Sequence, residues 1–299
     1  MSKVVTIIVT YNGAKWIEKC ITSVALSTVY TDIIVVDNCS TDNTCEIIES
    51  VPFPVVLIKN TENKGFGSAN NIGLKQAFNE KADYVFLLNQ DAYINRDTIE
   101  ILIENQKNNP EYGILSPMQL NGNATGLDLY FERLLAPDNT KGFINDSYFN
   151  QLKSIYDVKF VMAAMWLISA ECLKVNGVFE PLFYHYGEDS NYAQRALYHG
   201  FKIGVVYKSV GYHDREDRLV CKKEKTLYNA YIQFLTCSLD VNKPFFTTFL
   251  SAYKEYLAFV IKHLFSKATM MDLLRYHPLF DVPKIYKSRI KNKGIADWH

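Results

Sequence analysis

Four short apolar runs, separated by segments with helical spacing, constrain the fold of this chain more than any other feature. The runs are Val4–Val9, Ile33–Val36, Val55–Ile58 and Tyr84–Leu88. Val4–Val9 is rich in β-branched residues, and all four runs are continuous rather than alternating, which is typical of strands buried on both faces. Between the first two runs, apolar residues recur at helical spacing from Trp16 to Val24. Strands that alternate with helices in this way predict an α/β fold with a doubly wound, mostly parallel sheet and flanking helices.

The composition excludes several classes of protein. Of the 299 residues, 48% are apolar and 14% are aromatic, so the chain can bury a large core and is not intrinsically disordered. Thirty-two basic residues balance thirty-two acidic ones, which leaves no general cationic field for nucleic acid. The six cysteines form no CxxC pair, and they predict reduced, mostly buried thiols.

Targeting and membrane segments are not evident either. The apolar run Val4–Val9 is too short for the core of a signal peptide. The most apolar late segment, Phe245–Phe265, is interrupted by charged residues, whereas a membrane span needs about 20 uncharged apolar residues. We therefore expect a cytoplasmic protein.

Beyond the first hundred residues the pattern becomes less regular. Residues 117–155 are rich in Asn, Asp and Gly and predict a long loop or lid. Further elements are indicated at Phe160–Ile168 (sheet-like), Glu188–Tyr198 (helix) and Lys202–Tyr207 (strand). A shift toward helical, aromatic composition predicts a sheet domain over 1–220 and a helical C-terminal extension over 221–299.

The last part of the chain is basic. From residue 254 onward, nine Lys and Arg outnumber four Asp and Glu. Such a segment can lie on an anionic membrane, where a lipid-linked acceptor would wait, or it can pack on the first domain or form a homodimer. We favour packing on the domain, and none of these arrangements is expected to change the chemistry.

Three polar clusters follow predicted strands directly. They are Thr10-Tyr11-Asn12, Asp37-Asn38 and Asn89-Gln90-Asp91. Polar turns are common after any strand, but ligands of open parallel sheets bind beyond the carboxyl ends of the strands. Three clusters at equivalent positions therefore indicate a binding site at that edge.

A glycine-containing segment, Asn63–Asn71, precedes a predicted helix. Gly65 and Gly67 would let a ligand approach the backbone, and the helix N-terminus favours phosphate. The segment is neither a GxGxxG fingerprint nor a P-loop, so the phosphate signal is modest by itself.

Three further positions carry side chains suited to chemistry. Asp91 can hold a divalent cation together with diphosphate oxygens, although it can also be an ordinary turn residue. Glu188 and Asp189 open a helix, whose dipole favours an ionised base there; taken by themselves, the two residues are better explained as ordinary helix-terminal charge. His213 can supply a neutral imidazole to a cation, although a lone histidine is usually structural.

Together these residues resemble family 2 glycosyltransferases with the GT-A fold, close to the rhamnosyltransferase-like bacterial branch. Six stretches carry the resemblance, in family order, over roughly residues 3–215: Thr6–Asn12 (TIIVTYN), Ile34–Asp42 (IVVDNCSTD), Asn63–Gly73 (NKGFGSANNIG), Phe86–Asp91 (FLLNQD), Gly187–Leu197 (GEDSNYAQRAL) and Gly211–His213.

The resemblance implies inverting transfer of a sugar from a UDP- or dTDP-linked donor to an acceptor hydroxyl in bacterial polysaccharide or surface glycan synthesis. Asp189 would be the catalytic base with Glu188 beside it, and Asp91 and His213 would hold Mn²⁺ or Mg²⁺. The donor nucleotide would be bound by Thr10, Tyr11, Asn12, Asp37, Lys64, Gly65, Asn70 and Asn89. An aromatic sugar platform at Trp166 and a buried core tryptophan are both compatible with the pattern.

Two residues depart from the family pattern. Asn89 stands at the first acid of the DxD motif, and Gln90 stands where this branch often has Pro, which is expected to leave the turn less fixed. Two rival functions also stay open: a nucleotidyltransferase, and a catalytically silent protein that binds a nucleotide sugar or glycan. The Glu188-Asp189 pair argues against the first, and retention of a base argues against the second, because binding alone needs none.

Overall fold

The computed structural model describes residues 2–215, 227–263, 272–273 and 275–298. One nine-stranded sheet forms its centre, and helices flank it. The strands are β1 (Val4–Thr10), β2 (Asp32–Asp37), β3 (Val55–Lys59), β4 (Tyr84–Asn89), β5 (Ala92–Ile94), β6 (Tyr112–Asn121), β7 (Ile155–Asp157), β8 (Met165–Ser169) and β9 (Lys202–His213). The predicted boundary between residues 220 and 221 lies outside the described residues.

Eleven described α-helices surround the sheet or extend it. They are α1 (Ile17–Ala25), α2 (Thr44–Ser50), α3 (Phe66–Asn79), α4 (Thr98–Asn108), α5 (Leu129–Leu134), α6 (Phe143–Tyr148), α7 (Ala170–Asn176), α8 (Glu188–Tyr198), α9 (Leu227–Ser238), α10 (Phe245–His263) and α11 (Val282–Lys291). A short 3₁₀ helix, Pro278–Asp281, precedes α11.

The strand order is β3-β2-β1-β4-β8-β6-β9-β5, and β7 pairs with β9. The first four strands of this order are parallel, as the sequence predicts. Strand β8 runs antiparallel to β4 and β6, and β9 lies parallel to β6. The α/β fold is therefore confirmed, with a parallel half built by residues 4–89 and a mixed half built by later strands.

Burial on both faces explains why the strands lack polar alternation. In β1, Val5, Ile7 and Val9 pack in one core, while Val4 and Ile8 pack in the core on the opposite face. Trp166 of β8 is fully buried in the first of these cores. It is therefore a core residue rather than an exposed sugar platform.

The prediction of a long loop over 117–155 is wrong in part. Strand β6 continues to Asn121 by pairing with the end of β9, across a register shift at Pro117/Met118. Helix α5 then begins where the Asp128 carboxylate accepts hydrogen bonds from two backbone N–H groups of its first turn. The same pairing extends β9 from the predicted Tyr207 to His213.

The described part of the C-terminal extension packs on the sheet domain. Trp298 stacks on Phe78 of α3 with 3.9 Å between ring centroids, and its indole N–H donates to the carbonyl oxygen of Lys174. Asn292 donates a 3.1 Å hydrogen bond to the carboxylate of Glu180. Helices α9, α10 and α11 also share an apolar core with Phe183 of the sheet domain. None of the helices within the described ranges is long and apolar enough to cross a membrane.

Candidate functional site

The three predicted polar clusters converge at one edge of the sheet. Thr10 at the end of β1 lies opposite Asp37 of β2, and Val9 lies opposite Asn89 of β4. Because parallel strands in register end together, side chains that are far apart in sequence become neighbours. The predicted clusters therefore lie together, and ligand binding at this edge stays a prediction.

A cavity of about 550 Å³ opens at this edge and has two walls. The strand-end wall comprises Val9, Tyr11, Asn38, Asn63, Gly65, Phe66, Asn89, Gln90 and Asp91. The C-terminal wall comprises Tyr184, His185, Tyr228, Arg275 and Tyr276. A cavity of this size with polar groups on one side and aromatic groups on the other is typical of a small-molecule site.

Gln90 fixes the turn that follows β1. Its Oε1 accepts hydrogen bonds from the Thr10 hydroxyl at 2.6 Å and from the Tyr11 backbone N–H at 2.9 Å. Its Nε2 donates to the Tyr11 carbonyl oxygen at 3.3 Å. Gln90 thus ties the turn after β1 to the turn after β4 through side-chain hydrogen bonds, and the expectation that the turn around Gln90 is less fixed without Pro stays a prediction.

The predicted base reader Asp37 is buried and already partnered. Its carboxylate accepts a 3.1 Å hydrogen bond from the backbone N–H of Ser40. Asn12 lies beside the same turn, where its Oδ1 accepts from the Thr41 N–H at 2.8 Å. Neither side chain lines the cavity, so a role in base recognition stays a prediction.

Asn38, next to Asp37, ties the glycine-containing loop to the sheet. Its Oδ1 accepts a 2.9 Å hydrogen bond from the Lys64 N–H, and its Nδ2 donates at 2.9 Å to Asn63 Oδ1. Sequence reasoning placed Asn38 in a strand-end cluster but gave it no role in the site. Its adjacency to a buried strand end is the signal that could have identified it.

The predicted phosphate loop contributes to the cavity through Gly65. This residue has φ +80°, and a Cβ there would overlap the carbonyl oxygen of Tyr184. The Lys64 side chain is exposed and does not line the cavity. Asn70 is buried within α3, where its Nδ2 donates to the Phe66 carbonyl oxygen at 3.0 Å. Of the three predicted residues Lys64, Gly65 and Asn70, only Gly65 lines the cavity.

Asp91 and His213 meet as predicted. Strand β5 pairs with β9 so that Ala92 lies opposite His213, and this brings His213 Nε2 to 3.4 Å from Asp91 Oδ1. Both side chains are only 2% exposed, and neither imidazole nitrogen has a hydrogen-bond partner in the described part of the chain. A buried carboxylate beside an unpartnered imidazole fits a divalent cation.

Asp128 and Arg215 extend this pair. Asp128 Oδ2 lies 4.0 Å from His213 Nδ1 and accepts a 2.7 Å hydrogen bond from Arg215 Nε. The sequence analysis missed Asp128 because it lies in a segment without a readable motif. Across the described ranges, no three His, Cys, Asp or Glu side chains are grouped to hold a metal ion.

Glu188 and Asp189 form the first turn of α8, which has the predicted bounds. The half-buried carboxylate of Asp189 accepts a 2.7 Å hydrogen bond from the Ser190 N–H and another from the Ala163 backbone. The next residue, Ala164, accepts a 2.9 Å hydrogen bond from the Asn89 N–H. Asp189 is thereby held beside the carboxyl end of β4, where Asp91 follows.

Burial controls the ionisation of both carboxyl groups. Desolvation raises the pKa of Asp189, and desolvation together with the nearby Asp189 charge raises the pKa of Glu188 to about 8. The loss of hydration opposes the stabilisation of the ionised forms that the helix dipole is expected to give, and the net effect at both carboxyl groups is a raised pKa. A base with a raised pKa lies nearer to the pH at which it must accept a proton.

The C-terminal wall was not predicted. The Tyr228 hydroxyl accepts a 3.1 Å hydrogen bond from the His185 N–H and donates at 2.6 Å to the His185 carbonyl oxygen. The Tyr184 hydroxyl reaches across and donates to the Asn63 carbonyl oxygen at 3.2 Å. Tyr228, Arg275 and Tyr276 belong to the extension, which therefore contributes to the cavity; the expectation that its placement leaves the chemistry unchanged stays a prediction.

Comparisons with known proteins fit this arrangement. The family model described as glycosyl transferase family 2 matches residues 5–174, which is more than half of the chain. Poly-β-1,6-N-acetyl-D-glucosamine synthase of Staphylococcus aureus is 33% identical over 109 residues, 36% of this chain and 26% of that protein. Poly(ribitol-phosphate) β-N-acetylglucosaminyltransferase TarS of the same organism is 33% identical over 106 residues, 33% of this chain and 18% of that protein. The chain thus covers less than a third of the length of either relative.

Solved structures show the same fold. TarS residues 1–349 in complex with UDP superimposes with a TM-score of 0.60 at 18% identity, covering 97% of this chain and 80% of that one. The mannosyltransferase PcManGT of Pyrobaculum calidifontis, in complex with GDP-Man and Mn²⁺, gives a TM-score of 0.58 at 18% identity, covering 96% and 85%. Both similarities extend into the C-terminal extension.

Proposed function

Because this chain belongs to glycosyl transferase family 2, we propose that it moves a sugar from a nucleoside-diphosphate sugar to an acceptor hydroxyl with inversion of configuration. The observation that carries this proposal is the position of Asp189, which Ala163 and Ala164 hold beside the end of β4, the strand whose end lies in register with that of β1. Inversion by a single displacement needs one base and no protein nucleophile, and the site supplies that base.

Asp189 is the proposed base. Its hydrogen bonds to the backbone of Ser190 and Ala163 fix the carboxylate, and its raised pKa favours uptake of the acceptor proton. Glu188 lies buried beneath it against Gly67 and would be protonated near neutral pH, so that it holds no competing charge. A base in this position contributes about 10²- to 10⁴-fold to the rate.

Asp91 and His213 are the proposed ligands of Mn²⁺ or Mg²⁺. A cation bound there would act as a Lewis acid toward the leaving diphosphate. Asp128 lies near the other imidazole nitrogen and is paired with Arg215, an arrangement that orients the ring of His213.

The strand-end wall is the proposed donor site. Tyr11, Gly65 and Asn89 line it, while Thr10 and Asn38 fix its turns. Both curated relatives carry N-acetylglucosamine in their names, which supports UDP-N-acetylglucosamine as the first donor to test within the predicted UDP or dTDP class. Their names also support a polymeric bacterial surface glycan as the acceptor.

Thermal unfolding tests the proposal most directly. The Tm is measured with UDP, dTDP or GDP, each with and without Mn²⁺. One of these nucleotides should raise Tm in a metal-dependent way, and the others should not. Asp91→Ala should abolish the metal dependence, whereas Asp97→Ala, at an exposed aspartate that starts α4 without a side-chain cap, should keep it. No shift with any nucleotide would contradict the proposal. Binding without transfer or hydrolysis would favour the silent nucleotide-sugar binder.

Contact of the extension with a membrane stays a prediction. Phe246, Leu250 and Ile261 are exposed on α10, and Lys254 and Lys262 are exposed on the same helix. Exposed apolar and basic side chains together favour an anionic bilayer surface. Co-sedimentation with phosphatidylglycerol vesicles, lost in Leu250→Glu, would support this prediction, and a wild-type protein that stays in solution would contradict it.

A further inference from the structure

Arg275 gives the cavity a positive charge that no motif indicates. It is the only lysine or arginine among the described residues that line the cavity. The other formally charged residue of the two walls is Asp91, on the opposite side. The guanidinium carbon Cζ lies 5.3 Å from the centroid of the Tyr276 ring. Within the described residues, the guanidinium makes no ion pair, so its hydrogen-bond donors are not used in one.

The backbone that carries Arg275 is well anchored. The N–H groups of Arg275 and Tyr276 donate to the carbonyl oxygen of Asp272 at 3.0 and 2.9 Å. The carbonyl oxygen of Tyr276 accepts a 2.8 Å hydrogen bond from the buried Tyr256 of α10. A side chain on a fixed backbone loses less conformational entropy when it binds.

Aromatic side chains connect the segment that carries Arg275 to the rest of the site. The rings of Tyr276 and Tyr228 meet at 5.1 Å between centroids, and Tyr228 is hydrogen-bonded to both backbone groups of His185. His185 lies three residues before Glu188 at the start of α8. The extension is thus joined to the segment that leads to the proposed base.

We propose that Arg275 binds a phosphate group of the substrate inside the cavity, and that Tyr228 and Tyr276 position it there. The planar guanidinium matches phosphate oxygens in a bidentate manner, which a carbohydrate hydroxyl does not exploit. The inference rests on the proposed function in one respect: the phosphate belongs either to the donor diphosphate or to a phosphate-bearing acceptor. In both cases the extension contributes a substrate-binding residue.

Calorimetric titrations of the full chain in Mg²⁺ separate these two sources. The variants are Arg275→Gln, Arg275→Lys and the control Lys287→Gln, which alters an exposed lysine of α11 that does not line the cavity. The probes are UDP, dTDP and GDP, with uridine and inorganic phosphate for comparison. Inorganic phosphate is titrated both into the free protein and into protein saturated with the nucleotide that binds.

If Arg275 holds the donor diphosphate, Arg275→Gln weakens binding of the nucleoside diphosphate roughly 10- to 100-fold, the range for a lost charge-assisted hydrogen bond. Uridine binding then stays unchanged, and saturation with the diphosphate removes the phosphate site. If Arg275 holds an acceptor phosphate, nucleotide affinity is unchanged and inorganic phosphate still binds the saturated protein through Arg275. Arg275→Lys should restore part of the affinity in either case, because charge remains but bidentate geometry is lost.

Equal affinities of Arg275→Gln and Lys287→Gln for both nucleotide and phosphate would overturn the proposal. Failure of every nucleotide to bind the wild-type chain would instead count against the proposed function. The phosphate titration still reports on Arg275 in that event, so the two failures remain distinguishable.

Discussion

The two walls of the cavity are built by different physical means. The strand-end wall follows from three parallel strands in register, so that Tyr11, Asn38 and Asn89 are neighbours because of topology alone. The C-terminal wall joins Tyr184 and His185 to residues of the extension. These segments meet there through packing of aromatic rings and through the hydrogen bond of the Tyr228 hydroxyl to the His185 backbone. Functional side chains that strand topology brings together can be predicted from the strand ends in the sequence. Side chains that packing brings together cannot.

The proposed base is linked to both walls. Asp189 follows Tyr184 and His185 of the C-terminal wall in sequence, and its backbone partner Ala163 connects it to the end of β4. Changes to Asp189, to the contact between the walls and to the C-terminal wall itself should therefore have separable effects.

The largest effect is expected for Asp189→Asn. The amide preserves the shape of the side chain but cannot accept the acceptor proton, so the transfer rate should fall about 10²- to 10⁴-fold. Nucleotide affinity should be unchanged, because the strand-end wall is untouched. Nucleoside diphosphate release from UDP-N-acetylglucosamine measures the rate, and Asp97→Asn, at the exposed start of α4, is the control. A variant with the wild-type rate would remove Asp189 from the chemistry.

The parallel half of the fold could be predicted from sequence because its signals are local. Continuous apolar runs identify β1 to β4, and the segment Glu188–Tyr198 identifies α8. The extension of β6 past Pro117 could not be predicted, because polar residues there are ordered by pairing with β9. The strand order of the mixed half likewise depends on contacts between distant segments.

The site divides in the same way. Asp91 and His213 could be predicted as partners from the family resemblance, and the antiparallel pairing of β5 with β9 brings them together. Asp128 could not, since its role depends on its distance from His213 rather than on its neighbours in sequence. Lys64 and Asn70 match the family pattern, but an exposed lysine and a buried helical asparagine lie outside the cavity.

Gly65→Ala should break the contact between the two walls. The residue has φ +80°, and a Cβ would overlap the carbonyl oxygen of Tyr184, so both backbone strain and a clash oppose the change. We expect a loss of roughly 2–5 kcal/mol in the free energy of unfolding, together with weaker nucleotide binding.

Gly200→Ala provides the matched control in urea denaturation. Gly200 has φ +86° but nothing within 4 Å of an added Cβ, so only the backbone cost applies, about 1 kcal/mol. The difference between the two variants measures the contact between the walls. Equal losses would mean that the Tyr184 carbonyl moves away without cost.

Glu188→Gln should change how stability depends on pH. Burial and the nearby Asp189 charge raise the pKa of Glu188 from its usual 4.5 to about 8. Between these values the unfolded chain releases a proton that the folded chain retains, so the free energy of unfolding should fall as pH rises through this window. The expected fall is on the order of 2–4 kcal/mol.

Glutamine cannot ionise, so Glu188→Gln should flatten the fall measured by urea denaturation from pH 5 to 8. Glu171→Gln, at an exposed glutamate in the first turn of α7, should leave the wild-type profile intact. If Glu188→Gln keeps the full pH dependence, another group is responsible, and Glu188 does not retain a proton in the folded chain.

The smallest effect is expected for Tyr228→Phe, which removes only the hydroxyl that joins α9 to His185. Loss of these hydrogen bonds should lower the free energy of unfolding by about 1 kcal/mol. Tyr207→Phe is the control, because the Tyr207 hydroxyl of β9 has no hydrogen bond within the described ranges. If the Tyr228 hydroxyl positions the C-terminal wall, Tyr228→Phe should also weaken nucleotide binding, while Tyr207→Phe should not. Equal behaviour of the two variants would show that ring packing alone holds the wall, because the hydroxyl is the one group that Tyr228→Phe removes.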